Sequence, residues 1–135
     1  MMKCSFPGVV GVAVSVGALL VVAGSVQGPQ ETDPSRITPA MIALGDSVFH
    51  GRTGGALCYV CHGPAAKGVT GLGPSLVDKE WLNGDGSFAF IINTIESGVQ
   101  KPKKFAAPMP AKGGGQLNAQ QVQAAAAYVY SQRSK

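Results

Sequence analysis

Cys58-Tyr59-Val60-Cys61-His62 is the stretch of this 135-residue chain in which residue types and spacing carry a definite chemistry. Two thiols three residues apart, with a histidine directly after the second, form the CxxCH pattern of covalent haem attachment. The spacing has a physical reason. Both sulfurs reach the two vinyl groups on one porphyrin edge, and the histidine then falls beneath the iron. The rival chemistries need more than the chain offers. A zinc ribbon needs a second Cys/His pair, and His50 is the one other histidine. A thioredoxin-like dithiol needs a βαβ setting, and no strand pattern appears. Three cysteines rule out a disulfide framework, and Cys4 lies apart from the other two, before an apolar run.

A histidine that ligates iron through one ring nitrogen needs an acceptor for the other N–H. Gly73-Pro74-Ser75-Leu76 follows at a suitable distance, and the carbonyl of Pro74 in a rigid loop would serve. The sixth ligand must come from further along. Met109, held between Pro108 and Pro110, is the best candidate, because a lone Met is usually core filler and this one stands in a proline-flanked loop. Met41 sits on the apolar face of a helix and reads as core. His50, eight residues before Cys58, is the alternative sixth ligand. Were neither to bind, the five-coordinate iron would suit an enzyme or a gas sensor.

The elements that must position these groups are helices. Thr38-Pro39 announces the first, with Thr as N-cap and Pro where its missing N–H costs nothing. Met41, Ile42, Gly45, Val48 and Phe49 follow at helical spacing, and Gly51 and Gly54-Gly55 end it. From Gly51 to Pro74 the chain is Gly-rich loop with at most one helical turn. A short helix is expected over Phe88–Ser97, capped by Ser87 or Asp85, with Ile91, Ile92 and Ile95 as its apolar face and Gly98 as its stop. Loop returns over Val99–Gln116. The last helix begins at Asn118, where Gln121 completes a capping box and Leu117 can staple onto Val122. Val122, Ala125, Ala126 and Val129 form its stripe, with Tyr128 beside it. The fold class is therefore all-α. Long loops count against a small domain unless they wrap something, and the sparse large apolar side chains also ask for an apolar group inside.

The preceding segment divides in two. Residues 1–27 hold Lys3 and then an uncharged run from Phe6 to Val26. That run is near the length that spans a bilayer, which favours a retained membrane anchor over a signal peptide. Ala23 and Ser25 still offer a cleavage site. Either way Lys3 stays in the cytoplasm and the remainder is exported, to the periplasmic side. Residues 28–37 read as a flexible linker, and 38–135 as the folded domain. The net charge of +4 is concentrated at Lys101, Lys103, Lys104 and Lys112, with no basic stripe interleaved with aromatics, so nucleic acid is not an expected partner.

From Thr38 to Arg133 the chain resembles the class I cytochrome c family in its bacterial, monohaem form. The resemblance rests on Gly45 and Phe49 four apart, the CxxCH, Gly-Pro-Ser-Leu, Met109-Pro110 and the final Leu-Asn-x-x-Gln-Val…Ala-Tyr-Val helix, in that order. It implies three to five helices with long loops wrapped around one covalent haem c, ligated by His62 and Met109. It also implies a first and last helix that cross through Gly45, Phe49 and Tyr128. Ala125 stands where a larger aliphatic is common, which implies a looser contact there. Trp81 resembles the family's tryptophan near a haem propionate. The implied function is one-electron transfer with no open iron site, and the thioether ligand favours the ferrous state. The four lysines would steer acidic redox partners. Both a free carrier and a fixed subunit of a larger oxidoreductase fit this reading.

Overall fold

A computed structural model describes residues 32–133. The expected signal or anchor, the first part of the linker and the last two residues lie outside the described residues. Among the described residues no helix is long and apolar enough to cross a membrane. Within the stretch read as linker, Asp33 caps a single 3-10 turn over Pro34–Arg36, its carboxylate accepting from Ser35 N–H.

Four helices follow: α1 (Pro39–Phe49), α2 (Cys58–His62), α3 (Phe88–Ser97) and α4 (Ala119–Gln132), with a 3-10 turn at Ala111–Gly114 before the last. The starts of α1, α3 and α4 are the ones expected, because each is a local side-chain choice, whereas α2 follows Leu57 without a side-chain cap. The Thr38 hydroxyl accepts from Met41 N–H at 3.2 Å, and Ser87 accepts from Phe90 N–H at 3.1 Å. Asn118 and Gln121 exchange two bonds of 2.9 Å in a full capping box. Each such cap satisfies an N–H that would otherwise lack a partner and contributes about 1 kcal/mol. No strand is present among the described residues, only the isolated bridges Val69–Gly73 and Val99–Met109.

The core lies where α1, α3 and α4 meet. Phe49, Phe88, Ile92, Val48 and Val122 are its largest fully buried side chains, each stabilising the fold by about 1.5–3 kcal/mol. On α4 all four alanines from Ala124 to Ala127 are buried, so the helix is covered around more of its girth than its expected stripe. Small side chains are what permit that. α1 crosses α4 at Gly45, where a Cβ would overlap the carbonyl oxygen of Ala124 and press on the Cβ of Tyr128. The looser contact expected from Ala125 therefore does not arise. The crossing is set by Gly45 against the Ala124 backbone, while Ala125 lines a cavity on another side of α4.

At the other end of α4 the guanidinium of Arg133 donates to the carbonyl of Gly86. It also lies 5.3 Å from the Trp81 ring centroid and 5.0 Å from that of Tyr130. That clasp holds the segment before α3 against the last turn of α4.

Candidate haem site

An apolar cavity of about 400 Å³ opens between α2, α3, α4 and the loop before the Ala111–Gly114 turn. That volume lies in the range of small-molecule and cofactor sites. Cys58, Cys61, His62, Pro74 and Met109 all line it. The two thiols are unpaired, and burial pushes the Cys58 thiol up to about 11.

α2 is a helix of one turn, and its shortness suits its task. It places Cys58 and Cys61 nearly one above the other and puts His62, 8% exposed, at its buried end. Gly63 (φ 74°) then turns the chain away. The His62 Nδ1–H donates to the carbonyl of Pro74 at 2.9 Å. Nε2 is thereby left as the nitrogen with a free lone pair. Burial is the larger influence on the ring and holds it below the usual histidine range, only partly offset by the bond to Pro74. The neutral imidazole that results is the form that binds metal.

Glycines let the surrounding backbone close on this helix. Gly73 lies so near Cys61 that a Cβ there would come within 3.0 Å of the Cys61 carbonyl carbon. On the opposite flank a Cβ on Gly113 would sit 3.2 Å from Cys58 Sγ, and Gly113 O accepts from Leu57 N–H at 3.1 Å. Gln116 N–H donates to Gly54 O at 2.8 Å. The run Gly113–Gly115 is thus a packing surface for the attachment segment. Sequence reasoning treated it only as loop, although three consecutive glycines were the available signal of a close backbone approach.

The other candidates are distributed differently. His50 is not brought to the cavity: Nδ1 lies 2.9 Å from Asp46 O and Nε2 2.9 Å from Pro64 O, so both nitrogens are engaged by the protein. Trp81 does line the cavity, and its Nε1, against Gly86, is the buried side-chain nitrogen without a hydrogen-bond partner among the described residues. The four lysines do not form one group. Lys104 pairs with Glu80 at 2.6 Å, and Lys103 lines the cavity. Lys112, at φ 54°, turns inward to donate to Leu117 O at 3.0 Å and pairs with Glu96 at 3.6 Å. It ties the Met109 side of the cavity to α3 and to the start of α4.

These observations fit a haem. The lining is apolar, two thiols stand three residues apart at one side, and the donor set of an oriented neutral imidazole and a thioether is uncharged and suited to iron. Comparison with known proteins agrees. Residues 44–129 match the family described as cytochrome c oxidase, cbb3-type, subunit III. The chain belongs to that cytochrome c family.

As a member, the domain is built for haem-based electron transfer, and its CxxCH segment is consistent with covalent haem c. Its fold is also similar to the crystal structure of cytochrome CL from the marine methylotrophic bacterium Methylophaga aminisulfidivorans MPT, with a TM-score of 0.53 and 24% sequence identity. The match covers 69% of this chain and 53% of that one. This chain therefore spans about half the length of that cytochrome, and the likeness speaks for the fold alone.

Proposed function

We propose that this cytochrome domain carries single electrons on the periplasmic side of a membrane, held there by its N-terminal apolar segment. Cys58 and Cys61 would attach the haem, His62 and Met109 would fill its two axial positions, and Pro74 would fix the imidazole. Bound there, haem c supplies a one-electron couple. What the chain adds is closure. With His62 and Met109 both engaged, no position would be left for a substrate, and the soft thioether would raise the potential relative to a second imidazole. Trp81 Nε1 is available to donate to a haem carboxylate. The observation that carries this reading is the convergence of all five chosen residues on one cavity, with His62 already oriented by the Pro74 carbonyl.

The partners on this reading are redox proteins with acidic docking surfaces. With Lys104 and Lys112 already paired, steering falls mainly to Lys101 and Lys103. Partial neutralisation by Glu80 and Glu96 lowers the positive charge facing a partner, so the docking rate is expected to fall with salt less steeply than four free lysines would give.

The test is the visible spectrum of the matured holoprotein and of its Met109→Ala variant. The wild type is expected to be low-spin when reduced, with a weak far-red sulfur–iron band when oxidised. The variant should lose that band and bind carbon monoxide readily. A high-spin wild type that binds carbon monoxide would hand the site to an enzyme or sensor.

A second reading, a fixed subunit of a larger oxidoreductase, is favoured by the matched family, described as an oxidase subunit. Gentle detergent extraction separates the two. A carrier is expected to migrate alone, whereas a subunit would co-migrate with other chains through a second chromatographic step.

A further inference from the structure

We propose that Gly98 and Val99, at the end of α3, are positioning residues for Met109; this rests on the reading of Met109 as an axial ligand. Methionine has three rotatable side-chain bonds and adapts readily, so a defined sulfur position must be imposed through its backbone. Here one residue engages both backbone groups. Val99 N–H donates to Met109 O at 2.9 Å, and Met109 N–H donates to Val99 O at 3.0 Å. This bridge closes the loop 100–108 at its base. The Lys104–Glu80 pair on the same loop is exposed on both sides, and pairs of that kind add little.

Gly98 makes the bridge geometrically possible. Its φ of 68° and ψ of −170° lie in a region essentially reserved for glycine. Its N–H donates the last bond of the helix, to Thr94 O at 2.8 Å, and its positive φ then ends it. A Cβ on Gly98 would overlap the Met109 carbonyl oxygen, and would lie 2.7 Å from Ala111 N and 2.8 Å from the Pro110 carbonyl carbon. All three are backbone atoms, which cannot rotate aside as a side chain would. The helix end that supplies cavity wall through Thr94, Ile95 and Val99 is therefore also the template on which the ligand loop rests. A side chain at position 98 acts on Met109 before it acts on the core, because Met109–Ala111 is what it meets.

The test compares oxidised holoproteins of the wild type, Gly98→Ala and Gly71→Ala. Gly71 has a φ of 80° with nothing within 4 Å of a Cβ, so its variant carries a left-handed alanine that does not meet the Met109 backbone. Gly98→Ala is expected to weaken the far-red sulfur–iron band and to bind added imidazole about tenfold more tightly than wild type, because the displaced loop opens the sixth position more often. Gly71→Ala should match the wild type in both. Should Gly98→Ala keep the band and the imidazole affinity of Gly71→Ala, the positioning role is overturned while Met109 stands as ligand. A wild type without the band removes the ligand and this inference together. If Gly98→Ala does not mature, amide hydrogen exchange of the wild-type holoprotein decides. Val99 and Met109 protected well beyond residues 100–108 support the bridge as an anchor; exchange at the rate of the loop overturns it.

Discussion

A chain carrying both Cys58→Ser and Cys61→Ser is expected to lose its haem to acidified organic solvent and, once stripped, to show no cooperative thermal transition. The argument starts from the cavity of about 400 Å³ lined mainly by apolar side chains. Residual cavities destabilise by about 24 cal/mol per Å³, so holding this one open would cost roughly 10 kcal/mol. That is comparable to the whole stability of an ordinary domain, about 5–15 kcal/mol. The alternative, collapse, would require α3 and α4 to close on α2, whose contacts with Pro74 and Gly113 would then have to shift. The serine at position 58 adds a further penalty. The Cys58 environment is dry enough to raise a thiol to about 11, and a hydroxyl buried there without a partner costs about 1–3 kcal/mol. Near-ultraviolet circular dichroism through a melt is the measurement. A sharp transition in the stripped variant near the wild-type midpoint would show that the helices hold themselves together and that the cofactor is a passenger.

That dependence explains which parts of the molecule were readable in the sequence. Helix starts were readable because a cap acts over three residues: Thr38, Ser87 and Asn118 each bond the amide three positions on. The attachment segment was readable because covalent chemistry dictates spacing, and α2 holds five residues and no more. Pro74 was readable as a rigid carbonyl within a dozen residues of His62, and the structure places it 2.9 Å from Nδ1. The identity of the iron ligands is a further step, and the Met109→Ala spectrum is what addresses it.

What was not readable depends on chain segments far apart in sequence. Lys112 was expected on a docking face, yet its side chain turns inward to Leu117 and Glu96. Nothing in a single basic residue within a loop signals that it adopts a left-handed backbone and points back. Gly113–Gly115 meets residues 54–58 across more than fifty positions, and only the fold brings them together. Gly98 was read as a helix stop, which it is. That it also makes room for the Met109 backbone follows from a bridge between two residues ten apart, a pairing too short to leave a strand pattern. The resemblance assigned Ala125 to the helix contact, but what lies against Gly45 is the carbonyl of the neighbouring Ala124 together with the Cβ of Tyr128. A one-residue difference on a helix is a rotation of about 100°, enough to exchange a helix neighbour for a cavity wall.

The crossing of α1 and α4 therefore gives the sharpest test of packing. Gly45→Val is expected to destabilise the holoprotein by about 3 kcal/mol, the upper part of the usual range for overpacking. For a domain of about 100 residues this lowers the melting temperature by roughly 10–20 °C. The upper part of the range applies because the first atoms a Cβ would meet are the carbonyl oxygen and carbon of Ala124. These belong to the hydrogen-bonded backbone of a helix and cannot yield without moving α4. Such a movement would carry Ala125 and Val129, which line the haem cavity, so a shift in the haem absorption should accompany the loss of stability. Ala125→Val provides the contrast. Its added methyl groups enter the cavity wall and leave the crossing intact, so it should perturb the spectrum with a much smaller change in melting temperature. If the two variants melted alike, the distinction between crossing and cavity wall on α4 would be wrong, and the helix contact would rest on Ala125 after all.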